Sequence, residues 1–148
     1  MAVPRDIEPG WTYHHSRFYR DQSRKIKGKF FVVLATSTSD EVVARVLTSR
    51  SNGRIKDPPC FHGVPYPAYY LGDLDGALKL ETWVDLRALD DLDGEALNAL
   101  LADGIVEPLT DLPEETFLNV LDCTASAEDT TRYQETLIRD LRAEIASA

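Results

Sequence analysis

Apolar positions along this chain fall into two kinds of run. In the first half they are contiguous or alternate. Lys29–Ser37 (KFFVVLATS) carries Phe30, Phe31, Val32, Val33 and Leu34 without a break, and Glu41–Arg50 (EVVARVLTSR) carries Val42, Val43, Val46 and Leu47. Short runs rich in β-branched and aromatic residues predict buried strands. Thr38-Ser39-Asp40 between them is a polar connection suited to a hairpin. Trp11–Tyr19 (WTYHHSRFY) predicts a further strand, with Trp11, Tyr13 and His15 on one face and Thr12, His14 and Ser16 on the other. Ala68–Gly72 (AYYLG) is a short strand, and a turn region follows at Asp73–Gly76. Leu78–Leu86 (LKLETWVDL) alternates, placing Leu78, Leu80, Thr82, Val84 and Leu86 inward and Lys79, Glu81, Trp83 and Asp85 outward.

In the second half the period changes. Glu95–Ala102 reads as a short helix closed by Gly104. Pro113–Leu121 opens with a proline and two acids, a helix start. Asp129–Ala146 is the longest helix. Its Tyr133, Leu137, Leu141 and Ile145 form a stripe at four-residue spacing with Ile138 beside it, suited to packing on the sheet or to a partner surface.

About five strands, with no helix to cross between parallel partners, predict an α+β fold. The expected form is a small, strongly bent antiparallel sheet or barrel followed by C-terminal helices. One domain over residues 1–148 is expected, with strands in about 9–90 and helices from about 93.

Loops add detail. Residues 1–10 form an arm ending in a Pro9-Gly10 turn. Arg20–Lys27 (RDQSRKIK) reads as a basic loop. Ser51–Pro67, with Asn52-Gly53, Pro58-Pro59, Gly63, Pro65 and Pro67, reads as a long loop of the kind that is often functional or mobile.

Composition places the chain among globular proteins, since 43% of it is hydrophobic and 28% charged. No apolar run reaches the roughly 20 residues of a membrane helix, and the N-terminus lacks the apolar region of a signal peptide, so no membrane partner and a cytoplasmic location are expected. Two cysteines, Cys60 and Cys123, make a disulfide framework unexpected. Cys60-Phe61-His62 resembles the start of a metal site, but with three histidines in all (His14, His15, His62) a small buried thiol beside a loop histidine is the preferred reading. No metal and no cofactor are expected.

The net charge of −9 argues against nucleic acid. Residues 1–56, however, hold 11 Lys and Arg against 5 Asp and Glu, whereas residues 57–148 hold 5 against 20. A basic front of net +6 can present an anion-binding face. The hairpin concentrates it, because antiparallel pairing brings Lys29 at the start of one strand to Thr48, Ser49 and Arg50 at the end of the other. Arg20, Arg24, Lys25 and Lys27 of the basic loop, with Arg50 and Arg54, are the candidate phosphate contacts.

The run Lys29-Phe-Phe-Val-Val-Leu-Ala, then Val46-Leu47-Thr48-Ser49, then Glu81-Thr-Trp-Val-Asp85-Leu86, resembles the PemK/MazF toxin family over roughly residues 9–90. The likeness implies an SH3-like barrel and a metal-independent endoribonuclease of a toxin–antitoxin system. It also implies single-stranded RNA as substrate, a homodimer and an antitoxin partner. Thr48 would stand at the family's catalytic hydroxyl and Lys29 at its catalytic arginine, with Ser49 beside them; Lys29-Phe30 replaces the usual Arg-Pro. The general base stays open among His14, His15 and His62. The alternative reading is a non-catalytic barrel that binds a protein or nucleic acid through the basic loop or the Ser51–Pro67 loop.

Overall fold

The structure, a computed structural model, describes residues 3–74, 78 and 80–148. It is α+β, with eight strands in one sheet and three helices, the last at the C-terminus. The strands are β1 (Trp11–Arg20), β2 (Ile26–Thr36), β3 (Glu41–Thr48), β4 (Cys60–Phe61), β5 (Ala68–Asp73), β6 (Glu81–Asp85), β7 (Leu92–Asp93) and β8 (Val106–Asp111). The helices are α1 (Gly94–Ala102), α2 (Glu114–Ala125) and α3 (Arg132–Ser147). Strand order is β4-β5-β6-β3-β2-β1-β8, with β7 paired to β3, and each of these pairings is antiparallel. The path ends on β4 and β8, which do not pair with each other, so the sheet is not closed.

The unbroken apolar run of β2 has a simple cause: both of its faces are covered. Val32 and Leu34 join Val43, Leu47, Val84 and Leu86 in a core beneath α2 and α3, which contribute Phe117, Val120, Leu121 and Ile138. Phe31 and Val33 point the other way, into a second core with Tyr13, Val42, Ala44, Val106 and Leu97 of α1. A strand wedged between two layers has no solvent face on which to alternate. The hairpin turn follows the sequence reading. Ser37 Oγ accepts from the backbone N–H groups of Ser39 and Glu41 at 3.1 and 3.0 Å, and Asp40 takes a positive φ of 66°.

Local signals also set the helices. Asp93 caps α1 through its side chain, and Gly104 (φ 78°) ends it in the left-handed conformation. Thr131 and Gln134 form a capping box at the start of α3, three residues later than the expected boundary. Ile138 is fully buried, Leu137, Leu141 and Ile145 pack on the sheet-side core, and Tyr133 stays exposed, its hydroxyl 3.3 Å from Glu41 Oε1. The α3 stripe is therefore mostly a packing surface. The N-terminal arm is anchored too, since Ile7 N–H donates to Asn98 Oδ1 at 2.7 Å. No described helix is long and apolar enough to cross a membrane.

Several expectations are corrected. The segment expected as a basic loop at residues 20–27 is a loop over residues 21–25 and ribbon at its ends, since β1 runs to Arg20 and β2 begins at Ile26. Asp21 makes that turn, accepting from the N–H groups of Ser23 and Lys25 at 2.8 and 2.9 Å, a local cap that charge counting does not register. The second half is not purely helical, because β8 pairs with β1. Its alternation is weak and Pro108 interrupts it, which suits an edge strand. The expected Leu78–Leu86 strand shortens to β6. Leu80 is 66% exposed rather than inward, and Trp83 is buried rather than outward. Trp83 is covered because the long loop folds over that face, where its Nε1–H donates to Ile55 O at 2.9 Å. Lys79, Asp75 and Gly76 of the expected strand and turn lie outside the described residues.

The last correction concerns the cysteines. Cys60 and Cys123 form a disulfide, with Cα atoms 5.8 Å apart across 63 residues of sequence. Neither spacing nor count could foresee it. The packing of α2 beside β4 makes the pair.

Candidate nucleic-acid interface

The β2–β3 ribbon continues past its covered part. Beyond the paired residues Phe30 and Leu47 stand Lys29 and Thr48, one on each strand. Both line a single cleft of about 550 Å³. The wall also holds Lys27, Arg50, Arg54 and Arg87, the aromatic rings of Tyr19, Phe30 and Tyr66, and the carboxylate of Asp85. A neighbouring cleft of about 470 Å³ shares Lys29, Val46, Asp85 and Arg87 and continues to Asp129.

Each cation is held differently. Lys29 Nζ lies 5.4 Å from the centre of the Tyr19 ring, a position that steadies the ammonium and leaves its donors free. Arg54 is almost buried (9% exposed); its guanidinium stacks 4.6 Å from the Tyr66 ring and donates to Arg50 O at 2.7 Å. Its Nε is buried without a hydrogen-bond partner. Arg87 lies 5.7 Å from the same ring and forks onto Asp85, Nε to Oδ1 at 3.1 Å and Nη2 to Oδ2 at 2.7 Å. Tyr66 thus serves two guanidinium groups and fixes the long loop as one wall of the cleft.

The electrostatics at Asp85 are opposed. Burial pushes its carboxyl up, but hydrogen bonds from the Arg87 side chain and backbone, with the charges of Arg87 and Arg54, hold it below the usual aspartate value. Asp85 is therefore ionised at neutral pH. Arg87 is held above its ordinary value, first by the hydrogen bond to Asp85 and then by that residue's charge. Thr48 Oγ1 accepts from Arg50 N–H at 3.2 Å, which leaves its own proton available to the cleft.

The ribbon is shaped for this. Gly28 lies on the cleft wall, and a Cβ there would meet His14 Nε2 at 2.7 Å. His14 fills that space and packs against Phe30, its ring tilted by 46° with centroids 4.7 Å apart, so the glycine makes room for a histidine that supports the exposed Phe30 ring. His14 supports the cleft but does not line it. His15 does not line it either. Burial, then the charge of His14, hold His15 below the usual histidine value. His62 lies at the disulfide instead.

Of the residues singled out from the sequence, Lys27, Lys29, Thr48, Arg50 and Arg54 line one cleft. Ser49 is exposed and does not line it. Arg20, Arg24 and Lys25 sit at the tip of the β1–β2 ribbon, outside the cleft, where Arg20 Nη1 donates to Arg24 O at 3.2 Å. Sequence reasoning passed over Asp85, Arg87, Tyr19, Phe30 and Tyr66. Only the Asp85 to Arg87 spacing at the end of a strand carried a signal, and it needs the β3–β6 pairing (Thr48 with Trp83) to reach the rim.

No family model, curated protein or solved structure matches this chain.

Proposed function

We propose that this chain is a PemK/MazF-like toxin whose cleft binds single-stranded RNA and cleaves it without a metal. The observation that carries the reading is the single cleft in which Lys27, Lys29, Arg50, Arg54 and Arg87 meet Thr48 and three aromatic rings. Cations track a phosphate backbone, and rings take up unpaired bases; a single strand offers both together. A barrel-like curvature of the open sheet, a homodimer and an antitoxin partner belong to the same reading.

The chemistry follows from the cleft groups. The substrate's own 2′-hydroxyl attacks the adjacent phosphorus. Its proton passes to Asp85, the one carboxylate among the described residues lining the cleft, as Arg87 turns from that carboxylate to the phosphate. Lys29 and Arg87 stabilise the charged phosphorane, and the Thr48 hydroxyl donates to one of its oxygens. The 5′-oxygen leaves and takes a proton from water, giving a 2′,3′-cyclic phosphate and a 5′-hydroxyl. None of these steps needs a divalent cation.

A second reading rests on a specific observation. Asp85 is already bound by Arg87, and no histidine lines the cleft. A cleft so arranged suits RNA binding without cleavage. One experiment separates the two. The purified chain is incubated with single-stranded RNA in EDTA, and both binding and product ends are read. Cyclic-phosphate ends that vanish in Lys29→Ala and Thr48→Ala support the toxin reading. Tight, salt-sensitive binding of intact RNA supports the binding module. Cleavage undiminished in both variants, or abolished by EDTA, overturns the proposed site or its chemistry.

A further inference from the structure

We infer that Cys60, His62 and Cys123, when the disulfide is reduced, form a binding site for one zinc-class cation. The cavity it borders shares no lining residue with the basic cleft.

His62 Nε2 lies 3.5 Å from Cys60 Sγ and 3.6 Å from Cys123 Sγ, and the three candidate ligand atoms all fall within 4.8 Å of one another. A tetrahedral zinc ion, with bonds of about 2.3 Å to sulfur and about 2.0–2.1 Å to nitrogen, sets its nitrogen–sulfur edges at roughly 3.6 Å. The histidine therefore already stands at ligand separation from both sulfurs. What remains is for the sulfurs to part to roughly 3.8 Å, the sulfur–sulfur edge of the same tetrahedron.

Placement supports it. Cys60 sits on β4, held against β5 by its pairing with Tyr69, and His62 follows two residues later. Cys123 is buried on α2. The loop and the helix thus present three donors to one point. That point borders a cavity of about 450 Å³ lined also by Tyr69, Asn119 and Asp122. The cavity leaves room for a water as fourth ligand, since Asp122 is held by Arg142 at 3.0 Å. Two thiolates and an imidazole select zinc-like ions over magnesium or calcium.

The step balances. A dithiol reductant delivers two electrons and two protons to the disulfide, becoming a disulfide itself and leaving two Cys thiols. The cation then displaces both thiol protons. The Nε2–H of His62, directed at Cys123 O 2.9 Å away, is lost as Nδ1 takes a proton, and Nε2 supplies its lone pair. Disulfide and metal are thus alternative clamps between the same loop and helix. The metal form belongs to a reducing compartment and the disulfide to an oxidising one.

The test uses the full chain and Co²⁺ as a spectroscopic probe. The phosphine-reduced protein is expected to bind one Co²⁺, with thiolate-to-cobalt charge-transfer absorption that Zn²⁺ displaces. The oxidised protein should show no such absorption. His62→Gln, a substitution at an exposed position, should weaken Co²⁺ binding by roughly tenfold or more, as befits a lost ligand. Cys60→Ser should remove most of the charge-transfer intensity, and circular dichroism checks its fold. If that variant unfolds, the reduced wild type and His62→Gln decide the matter. Absence of the charge-transfer band in the reduced wild type overturns the site, as does His62→Gln binding Co²⁺ as tightly as the wild type.

Discussion

The β2–β3 ribbon carries cations in two settings, of which Arg45 and Lys29 are the examples, and the contrast separates fold from function. Arg45 lies in the covered part of β3 and is fully buried. Its guanidinium donates to Ala44 O at 2.8 Å, Gln134 Oε1 at 2.9 Å and Thr130 Oγ1 at 3.3 Å. Gln134 in turn donates to Leu89 O and Asp91 Oδ1, so one charge ties the sheet, α3 and the 89–91 segment together. Burial pulls the Arg45 pKa down, and the charges of Asp91, Asp129 and Asp85 push back. Lys29, across the ribbon and a few residues on, has no carboxylate partner among the described ion pairs and faces the cleft. A cation whose two terminal nitrogens are bound by protein, as in Arg45, serves the fold, whereas one that faces the cleft is available to a phosphate.

Substitutions at the two ends test the contrast between Arg45 and Lys29. The largest effect is expected at the open end. Lys29→Ala and Thr48→Ala should each lower RNA cleavage about a hundred- to a thousandfold, worth roughly 3–4 kcal/mol of transition-state stabilisation. Their urea midpoints should stay near wild type. Lys29→Arg keeps the charge and adds a fork of donors, so cleavage should persist or rise. Unfolding of the alanine variants would erase the distinction between the two ends.

At the covered end, Arg45→Ala should cost about 2–3 kcal/mol of stability in urea unfolding. It removes the buried side-chain donor to Ala44 O and one of the two donors to Gln134 Oε1, which keeps only the Thr131 N–H at 3.2 Å. A loss below about 0.5 kcal/mol, the level of an ordinary surface change, would show that the network does not hold the layers together.

Smaller effects sharpen the picture. Phe30→Ala should weaken single-strand RNA binding by about 1–3 kcal/mol, the contribution of one stacked base, and leave the fold intact. Removing one phosphate-facing cation, as in Lys27→Ala, should flatten the salt dependence of RNA affinity by about 0.7 in log–log slope. An unchanged slope would place Lys27 outside the RNA path.

Asp85 supplies a pH dependence. Its folded pKa lies below the unfolded one, so its stabilisation is fully present above the ordinary aspartate value. As pH falls, the unfolded chain takes up the proton first, and the contribution is lost through the folded pKa. Urea midpoints measured from about pH 5 down to about pH 3 should fall more steeply for wild type than for Asp85→Asn. Parallel curves would remove Asp85 from the acid response.

Much of this protein was legible in its residues. The run from Phe30 to Leu34 read as a buried strand, the polar residues Thr38, Ser39 and Asp40 as its turn, and Gly104 as the end of the first helix. Local hydrogen bonds and hydrophobic period act over a few residues, so the sequence displays them directly. Lys29 and Thr48 were also legible as neighbours, since a short hairpin leaves antiparallel pairing little freedom. Other features depended on chain segments far apart in sequence. Trp83 was buried by a loop from residues 51–67, β8 found its place only beside β1, and Arg87 and Tyr66 reached the rim from different strands and loops. Cys60 met Cys123 because α2 packs beside β4. Periodicity carries no record of such encounters. They are set by how layers of the sheet and helices share one core, which only the tertiary structure decides.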